Sequence, residues 1–321
     1  MGIQGGDDML EIPPHVQWVV GCVVVLLAVA SVISIAMVKL QPQRDHTELR
    51  QRIRSWWWMI ALLFMALLFN RTVAIVFFAV LSYLALKEFF SIVPTRLMDR
   101  RVLFWAYLAI PVQYLWVGMG WLAMISIFIP VYVFLFLPVR MLLIGETRGF
   151  IRSAGVIHWM VMLAVYCLSH LGALLMLPVT NAQAGYVGPV LFVLLMTQLN
   201  DVAQYIWGKS LGRHKIVPKV SPGKTWEGMV GGCITIVIVS ALLGPWLTGL
   251  SAAMSALAGG LMAVCGFFGD VVISSVKRDL QIKDTGRLIP GHGGLLDRLD
   301  SLIYTAPIFF HFYHYLGGGV A

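Results

Sequence analysis

The chain is dominated by apolar stretches long enough to cross a lipid bilayer. A spanning helix needs roughly 20 mostly apolar residues, and 59% of the 321 residues are hydrophobic. Only 12% are charged, about half the share of an ordinary globular domain. The sequence predicts an all-α, polytopic integral membrane protein. We predict ten spans: Val16–Val38, Trp56–Phe69, Thr72–Leu86, Val102–Met119, Trp121–Val139, Val156–Leu177, Gly185–Trp207, Met229–Leu247, Met254–Val276 and Leu302–Leu316.

The second and third predicted spans are short, and only Asn70 and Arg71 separate them. They form either a tight helical hairpin or one broken, partly re-entrant element. The second arrangement would leave nine spans.

The positive charges predict the orientation in the membrane. Of the 23 lysines and arginines, all except Arg71 follow the odd-numbered spans, and such residues mark the cytoplasmic side of short loops. We therefore expect both termini outside and the loops 208–228 and 277–301 in the cytoplasm. The net charge of +8 is explained by basic loops beside anionic lipid and requires no nucleic-acid partner.

The pattern also divides the chain into two regions. Residues 1–153 hold the first five spans and their basic loops, and residues 154–321 hold the last five spans. The second region contains both polar cytoplasmic loops named above, so we predict that it is the catalytic region.

Two carboxylates interrupt the apolar spans, Asp201 in the seventh and Asp270 in the ninth. An ionisable residue in a spanning helix is costly and suggests a function, although either one alternatively pairs with a cation for packing. Ser274, Lys277 and Arg278 follow Asp270 by four, seven and eight residues, which places all of them on one helix face. A polar stripe is therefore expected to run from the membrane to the loop.

The seventh span has a weaker version of this stripe. Tyr205 follows Asp201 by four residues, and Lys209 lies at the membrane edge.

The loop after the ninth span contains a glycine-rich turn, Pro290–Gly294, that precedes a helix. Backbone N–H groups in such turns and at helix N-termini bind anions, so we predict a phosphate cradle that includes Gly293 and Gly294. His292 either donates to phosphate or serves the turn geometry.

The helix that the glycine turn opens carries further polar residues. Asp297 lies in its first turns, and Asp300 and Ser301 follow at spacings that share a face. Arg298 points toward a phosphate or toward Asp284. Carboxylates beside phosphate-binding groups favour Mg²⁺, which takes one or two carboxylates plus phosphate oxygens, whereas Cys and His at zinc spacing are lacking.

These motifs together resemble a known signature. The residues Ser275-Val-Lys277-Arg278, then Lys283-Asp284-Thr-Gly, then Ile-Pro-Gly-His292-Gly293-Gly294-Leu-Leu-Asp297-Arg298-Leu-Asp300 look like the full signature of the phosphatidate cytidylyltransferases (CDP-diacylglycerol synthases). A looser match runs from Asn200-Asp201 through Ser221, Lys224-Thr225 and Glu227. The resemblance covers the chain from about residue 191 onward.

The resemblance implies transfer of CMP from CTP to phosphatidic acid, giving CDP-diacylglycerol and pyrophosphate. It implies Mg²⁺ held by Asp270 and Asp297, with K⁺ as a second cation, and a homodimer in a bacterial cytoplasmic membrane. Lys277 and Arg278 complete the predicted catalytic set. The predicted substrate-binding residues are Asp201, Tyr205, Lys209, Ser221, Lys224, Thr225, Glu227, Ser274, Ser275, Lys283, Asp284, His292, Gly293, Gly294, Arg298, Asp300 and Ser301.

Two positions depart from the pattern of that family. Gly223 stands where a second lysine is common, and Gln204 stands where a small residue is common. They indicate a paralogous branch. Transfer to another lipid or polyprenyl phosphate, membrane transport and an inactive scaffold are the alternative functions.

Overall fold

The computed structural model describes residues 12–40, 46–96, 99–286, 288–291 and 293–317. Within these ranges the chain is all-α, apart from isolated bridges between Lys215 and Thr225 and between Ile289 and Gly293. The helices are α1 (Pro14–Leu40), α2 (Thr47–Phe69), α3 (Arg71–Ile92), α4 (Arg100–Gly118), α5 (Leu122–Leu142), α6 (Phe150–Leu174), α7 (Gly185–Leu211), α8 (Trp226–Thr248), α9 (Ala252–Asp279) and α10 (Leu296–Leu316).

Each predicted span falls on one of these helices, and the prediction of an all-α polytopic membrane fold is confirmed. In the described part of the chain, eight helices are long and apolar enough to cross a membrane. The other two, α4 and α10, carry more polar residues. The helix α4 begins with Arg100 and Arg101, and α10 contains Asp300.

The short second and third spans form a tight helical hairpin. Asn70 alone separates α2 from α3, and its extended backbone (φ −168°, ψ 169°) reverses the chain. The Asn70 side chain accepts a hydrogen bond from the amide of Val73 at 2.8 Å, which caps α3 in the manner typical of asparagine. Because both helices are complete, with 23 and 22 residues, the structure favours the hairpin over one broken element.

Small residues bring the C-terminal helices close together. A Cβ atom on Gly259 of α9 would lie 2.1 Å from Oγ of Ser240 in α8, and one on Gly244 of α8 would lie 2.1 Å from Oγ of Ser255 in α9. Such close approach is how membrane helices gain packing energy, since apolar side chains gain little by leaving lipid. The helices α7 to α10 therefore form a tight group that fixes the polar residues they carry.

Several connecting segments meet at one end of the bundle. Arg278, at the end of α9, donates to the carbonyl of Val220 in the α7–α8 loop at 3.1 Å. Arg96, after α3, donates to the carbonyl of Arg148 in the α5–α6 loop at 2.5 Å. Arg52, near the start of α2, donates to the carbonyl of Gly291 at 3.1 Å, and Arg96, Arg148 and Asp279 line one cavity. Together these contacts place the basic loops on a common side of the bundle, as their charge pattern predicts, and we call this side the basic face.

Candidate active site

Asp270 lies on α9, one helical turn before Ser274, and makes two contacts. Its Oδ2 atom is 2.7 Å from Nζ of Lys224, and its Oδ1 atom accepts a hydrogen bond from Oγ of Ser274 at 3.2 Å. Nζ of Lys224 also donates to Oε1 of Gln204 at 3.3 Å. The side chains of Lys224 and Asp270 are 18% and 23% exposed, so this ion pair is partly shielded from water.

Three carboxylates approach one another at this point, and we call them the carboxylate cluster: Asp201 of α7, Asp270 of α9 and Asp300 of α10. They lie close enough to interact electrostatically, and like charges in a partly buried position repel strongly. Oγ of Ser301 donates to Oδ1 of Asp201 at 3.2 Å. Lys224, whose ammonium group is paired with Asp270, offsets part of this repulsion.

Asp297 and Asp300 share Lys277 as a neighbour, which places Asp297 near one member of this cluster. The Oδ1 atom of Asp297 is 2.7 Å from Nζ of Lys277. Its Oδ2 atom accepts hydrogen bonds from the amide of Thr285 at 2.9 Å, from Oγ1 of Thr285 at 3.0 Å and from the amide of Gly294 at 3.0 Å. Asp297 is buried, and its contacts with Gly294 and Lys277 join the glycine-rich turn, Pro290–Gly294, to α9.

Glu88, on α3, is a residue of this region that the sequence analysis does not identify. It is buried, and its carboxylate accepts hydrogen bonds from the amides of Leu295 at 2.8 Å and Leu296 at 3.0 Å, and from Oγ1 of Thr285. The sequence signal that could identify Glu88 is its spacing, because it shares a helix face with the buried residues Ala85 and Phe89. An acid on a buried helix face requires a partner.

The glycine-rich turn, Pro290–Gly294, differs from the predicted phosphate cradle. The amides of Gly294, Leu295 and Leu296 donate to Asp297 and Glu88, so carboxylates of the protein already occupy the N-terminus of α10. Gly291 and Gly293 have positive φ angles of 76° and 82°, which glycine adopts without strain. His292 lies outside the described residues.

The α7–α8 loop is held so that Lys224 reaches α9. Oγ1 of Thr225 accepts a hydrogen bond from the amide of Gly228 at 3.1 Å and caps α8. Glu227 accepts from the amide of Arg213 at 3.0 Å and from Nδ1 of His214 at 2.6 Å. The carbonyl of Ser221 accepts from the amide of Lys224 at 3.2 Å. These contacts of Ser221, Thr225 and Glu227 are therefore made within the loop and between the loop and the first turn of α8.

Other predicted residues lie at the edge of the site or outside it. Tyr205 and Lys209 contact each other on an exposed face, with Nζ of Lys209 3.5 Å from the tyrosine oxygen. Oγ of Ser275 donates to the carbonyl of Val271 at 2.9 Å, whereas Oγ of Ser274 donates to Asp270. Lys283 and Asp284 are exposed on the segment that follows α9.

Two buried donors near the carboxylate cluster have no hydrogen-bond partner within the described ranges. They are Nε of Arg298 and Nε2 of Gln204. Arg298 interacts electrostatically with Asp201, and Gln204 contacts Lys224. Buried donors are almost always satisfied in folded proteins, so their position here favours an acceptor supplied by a ligand, such as a phosphate oxygen.

The two predicted metal ligands, Asp270 and Asp297, are of the chemical type that Mg²⁺ binds. Among the described residues, no group of three or more His, Cys, Asp or Glu side chains forms a metal cage. Mg²⁺ does not require such a cage, since it takes one or two carboxylates and completes its shell with phosphate oxygens and water. Asp270 and Asp297 each hold one lysine ammonium group at 2.7 Å, and both are hard oxygen donors that suit this ion.

Comparison with known proteins supports the relationship that the motifs indicate. A family model described as the cytidylyltransferase family matches residues 50–316. An uncharacterized protein of Escherichia coli (strain K12), YnbB, is 46% identical over 290 residues, which are 90% of this chain and 95% of that protein.

Proteins named phosphatidate cytidylyltransferase match over a shorter length. The one from Mycobacterium bovis is 39% identical over 135 residues, 42% of this chain and 42% of that protein. The one from Haemophilus influenzae is 35% identical over 132 residues, 40% of this chain and 46% of that protein. The chain thus aligns with less than half the length of these named relatives, whereas the family model spans most of it. The chain belongs to the cytidylyltransferase family, and it is a nucleotidyltransferase of the membrane.

Proposed function

We propose that this protein transfers CMP from CTP to phosphatidic acid, producing CDP-diacylglycerol and pyrophosphate. The observation that best supports the proposal is the contact between Lys224 and Asp270 beside the other two members of the carboxylate cluster. It combines a phosphate-binding cation with metal-binding carboxylates at the basic face of a membrane bundle. Such a pairing suits a reaction between two phosphate groups.

The proposed reaction joins two anions. A phosphate oxygen of phosphatidic acid attacks the α-phosphorus of CTP, the bond from that phosphorus to the bridging oxygen breaks, and pyrophosphate leaves with the electron pair. A covalent enzyme intermediate is unnecessary because the lipid phosphate is already an oxyanion. The protein therefore has to position the two phosphates and neutralise their charge.

Cationic side chains of this chain would supply that neutralisation. We assign the phosphates of CTP to Lys224 and Lys277, which already lie 2.7 Å from carboxylates and would exchange one anionic partner for another. Nε of Arg298, buried and unpartnered, would donate to a phosphate oxygen. Arg278 is exposed and bonded to the carbonyl of Val220, and we propose that it holds the loop that delivers Lys224.

We further propose that Asp270 and Asp297 hold Mg²⁺, with Asp201 and Asp300 beside them, and that K⁺ serves as a second cation. When bound, Mg²⁺ would supply positive charge that stabilises the departing pyrophosphate. Asp297 has a second role in the geometry, because its Oδ2 atom holds Thr285 and Gly294. Only its Oδ1 atom, now facing Lys277, is then left for the metal.

The position of the site suits a lipid substrate. The carboxylate cluster lies toward the ends of α7 and α9 that meet the basic loops, so the acyl chains would stay among the helices and lipid while the headgroup meets soluble CTP. We propose that the basic face is cytoplasmic, that the membrane is the bacterial cytoplasmic membrane, and that the protein acts as a homodimer.

The test is an acceptor panel with purified protein. Labelled CTP and Mg²⁺ are supplied with phosphatidic acid, with a polyprenyl phosphate, with diacylglycerol or with no acceptor. We expect CDP-diacylglycerol and pyrophosphate in equal amounts when phosphatidic acid is the acceptor, and neither product under the other three conditions. Product formed only from the polyprenyl phosphate would identify the other acceptor class. A lack of product from every acceptor would favour transport or a scaffold role over this proposal.

A further inference from the structure

A cavity lies on the opposite side of α9 from Asp270. Its volume is about 900 Å³, and it is bounded by the end of α3, the α5–α6 loop, the first turns of α6 and the end of α9. Ser275, Val276 and Asp279 form its α9 wall, whereas Ser274 and Lys277 turn toward the carboxylates. One helix therefore separates this cavity from the candidate active site.

We call it the arginine cavity, after the three arginines that line it, Arg96, Arg148 and Arg152. Arg96 is already engaged. Its Nε and Nη2 atoms donate to the carboxylate of Asp99 at 2.8 and 2.9 Å, and its Nη1 atom donates to the carbonyl of Arg148 at 2.5 Å. Asp99 in turn accepts from Oγ of Ser153. This network fixes the rim of the cavity and joins the end of α3 to the start of α6.

The other two arginines are available to a ligand. Arg148 and Arg152 are exposed, and within the described ranges neither forms an ion pair with a carboxylate. Two acids also line the cavity, Glu146 and Asp279, and Glu146 accepts a hydrogen bond from the amide of Arg148 at 2.8 Å. Two guanidinium groups at one rim suit a phosphate, which arginine binds through paired N–H donors.

The wall below these arginines is apolar. Val156, Trp159 and Met160 line the cavity and follow Arg152 by four, seven and eight residues, so all of them lie on one face of α6. The order along that face is guanidinium first, then apolar side chains deeper in the helix bundle. A ligand that matches it has an anionic head and a hydrocarbon tail.

We infer that the arginine cavity is a binding site for an anionic phospholipid, distinct from the site of the proposed reaction. The headgroup phosphate contacts Arg148 and Arg152, and the first part of an acyl chain lies along Val156, Trp159 and Met160. The volume lies within the range of pockets that hold small organic ligands. Inorganic phosphate gains nothing from the apolar wall. The inference concerns binding alone and does not depend on the proposed reaction.

The test is photolabelling of the full chain in neutral-lipid nanodiscs, without CTP. The probe is phosphatidic acid with a diazirine on the proximal part of one acyl chain, and a diacylglycerol with the same diazirine serves as the neutral probe. Labelled peptides are mapped by mass spectrometry. We expect the anionic probe to label the α6 peptide that contains Val156–Met160 and the neutral probe to label it far less.

The variants separate this site from general attraction to basic loops. The double substitution R148Q/R152Q should reduce α6 labelling at least about tenfold, as expected when 1.4 kcal/mol of binding free energy is lost. The matched control R100Q/R101Q removes two exposed arginines that do not line the cavity, and labelling should persist. All four arginines are exposed, so we expect both variants to fold, and thermal unfolding curves check this.

Three results would overturn the inference. One is a wild-type α6 peptide that the anionic probe leaves unlabelled. Another is α6 labelling that falls equally in both double variants, which would indicate nonspecific attraction to charge. The third is loss of labelling on addition of millimolar inorganic phosphate or CTP, which would assign the cavity to a soluble anion. Labelling that resists both competitors supports the lipid.

Discussion

The carboxylate of Glu88 accepts a hydrogen bond from the backbone amide of Leu295 at 2.8 Å. A side chain of α3 thus satisfies the N-terminus of α10, more than two hundred residues later in the chain. Through Thr285, whose hydroxyl donates to Glu88 and whose amide donates to Asp297, the contact extends to the carboxylate paired with Lys277. The N-terminal helices therefore help to position the polar residues of the candidate active site.

Removing the carboxylate of Glu88 should destabilise the protein. In E88A the amides of Leu295 and Leu296 lose their acceptor in a buried position, and an unsatisfied buried group costs about 1–3 kcal/mol. The measurement is the unfolding midpoint in detergent. The control is E48A, because Glu48 is exposed and pairs with Arg52 on the surface. Equal midpoints for E88A and E48A would show that the cap contributes nothing.

Substitutions in the pair formed by Lys277 and Asp297 can separate an effect on stability from an effect on catalysis. In K277M the buried carboxylate of Asp297 loses its cation, and breaking a buried ion pair costs about 3–5 kcal/mol. Adding D297N removes the uncompensated charge while leaving an oxygen for the amides of Thr285 and Gly294. We expect K277M/D297N to unfold at a higher temperature than K277M.

Turnover should stay at least about tenfold below that of the wild type in both variants, because each lacks the ammonium group that we assign to phosphate. Recovery of turnover together with stability in K277M/D297N would contradict the assignment of Lys277.

Close packing of α7 on α8 should make one glycine sensitive and a neighbouring glycine tolerant. A Cβ on Gly228 would lie 2.8 Å from the carbonyl oxygen of Gln204 and 3.0 Å from Cα of Gly208. We expect G228A to cost about 1–3 kcal/mol, as overpacking does. The control is G223A, where nothing lies within 4 Å of the new Cβ and the effect should stay within about 0.5 kcal/mol. Thermal unfolding of the two variants tests this, and equal loss would contradict it.

Metal removal should abolish the proposed reaction. We expect turnover to disappear in EDTA and to return when Mg²⁺ is added in excess. The Mg²⁺ concentration for half-maximal turnover should rise at least about tenfold in D297N if Asp297 binds the metal. An unchanged Mg²⁺ requirement in D297N, together with a lower unfolding midpoint, would instead restrict Asp297 to positioning Thr285 and Gly294.

Local spacing predicts part of this site well. The separation of four residues between Asp270 and Ser274 predicts a shared helix face, and Ser274 donates to Asp270 in the structure. The number of helices and the all-α class of the fold also follow from hydropathy, because both depend on residues close together in sequence. The common position of the basic loops follows from the alternation of charge along the chain.

Contacts between distant segments are not predicted from spacing. Glu88 caps α10 from another helix, and Gln204 contacts Lys224 across a loop. Asp297 and Asp300 both have Lys277 as a neighbour, as their spacing predicts, but the hydrogen bonds from Thr285 and Gly294 to Asp297 do not follow from spacing. The prediction of a phosphate cradle at the start of α10 did not anticipate Glu88. Its carboxylate accepts hydrogen bonds from the amides of Leu295 and Leu296, which a bound phosphate would otherwise use. Each of these outcomes depends on how helices pack, which a single sequence does not encode locally.

The most direct test of the account is the rate of CDP-diacylglycerol formation from CTP and phosphatidic acid by D270N. Asp270 is paired with Lys224 and Ser274 at the centre of the proposed site. Its replacement should lower turnover at least about tenfold, the effect of 1.4 kcal/mol in transition-state stabilisation. The control E48Q should keep wild-type turnover. A D270N protein that is folded and retains most of the wild-type rate would contradict the account.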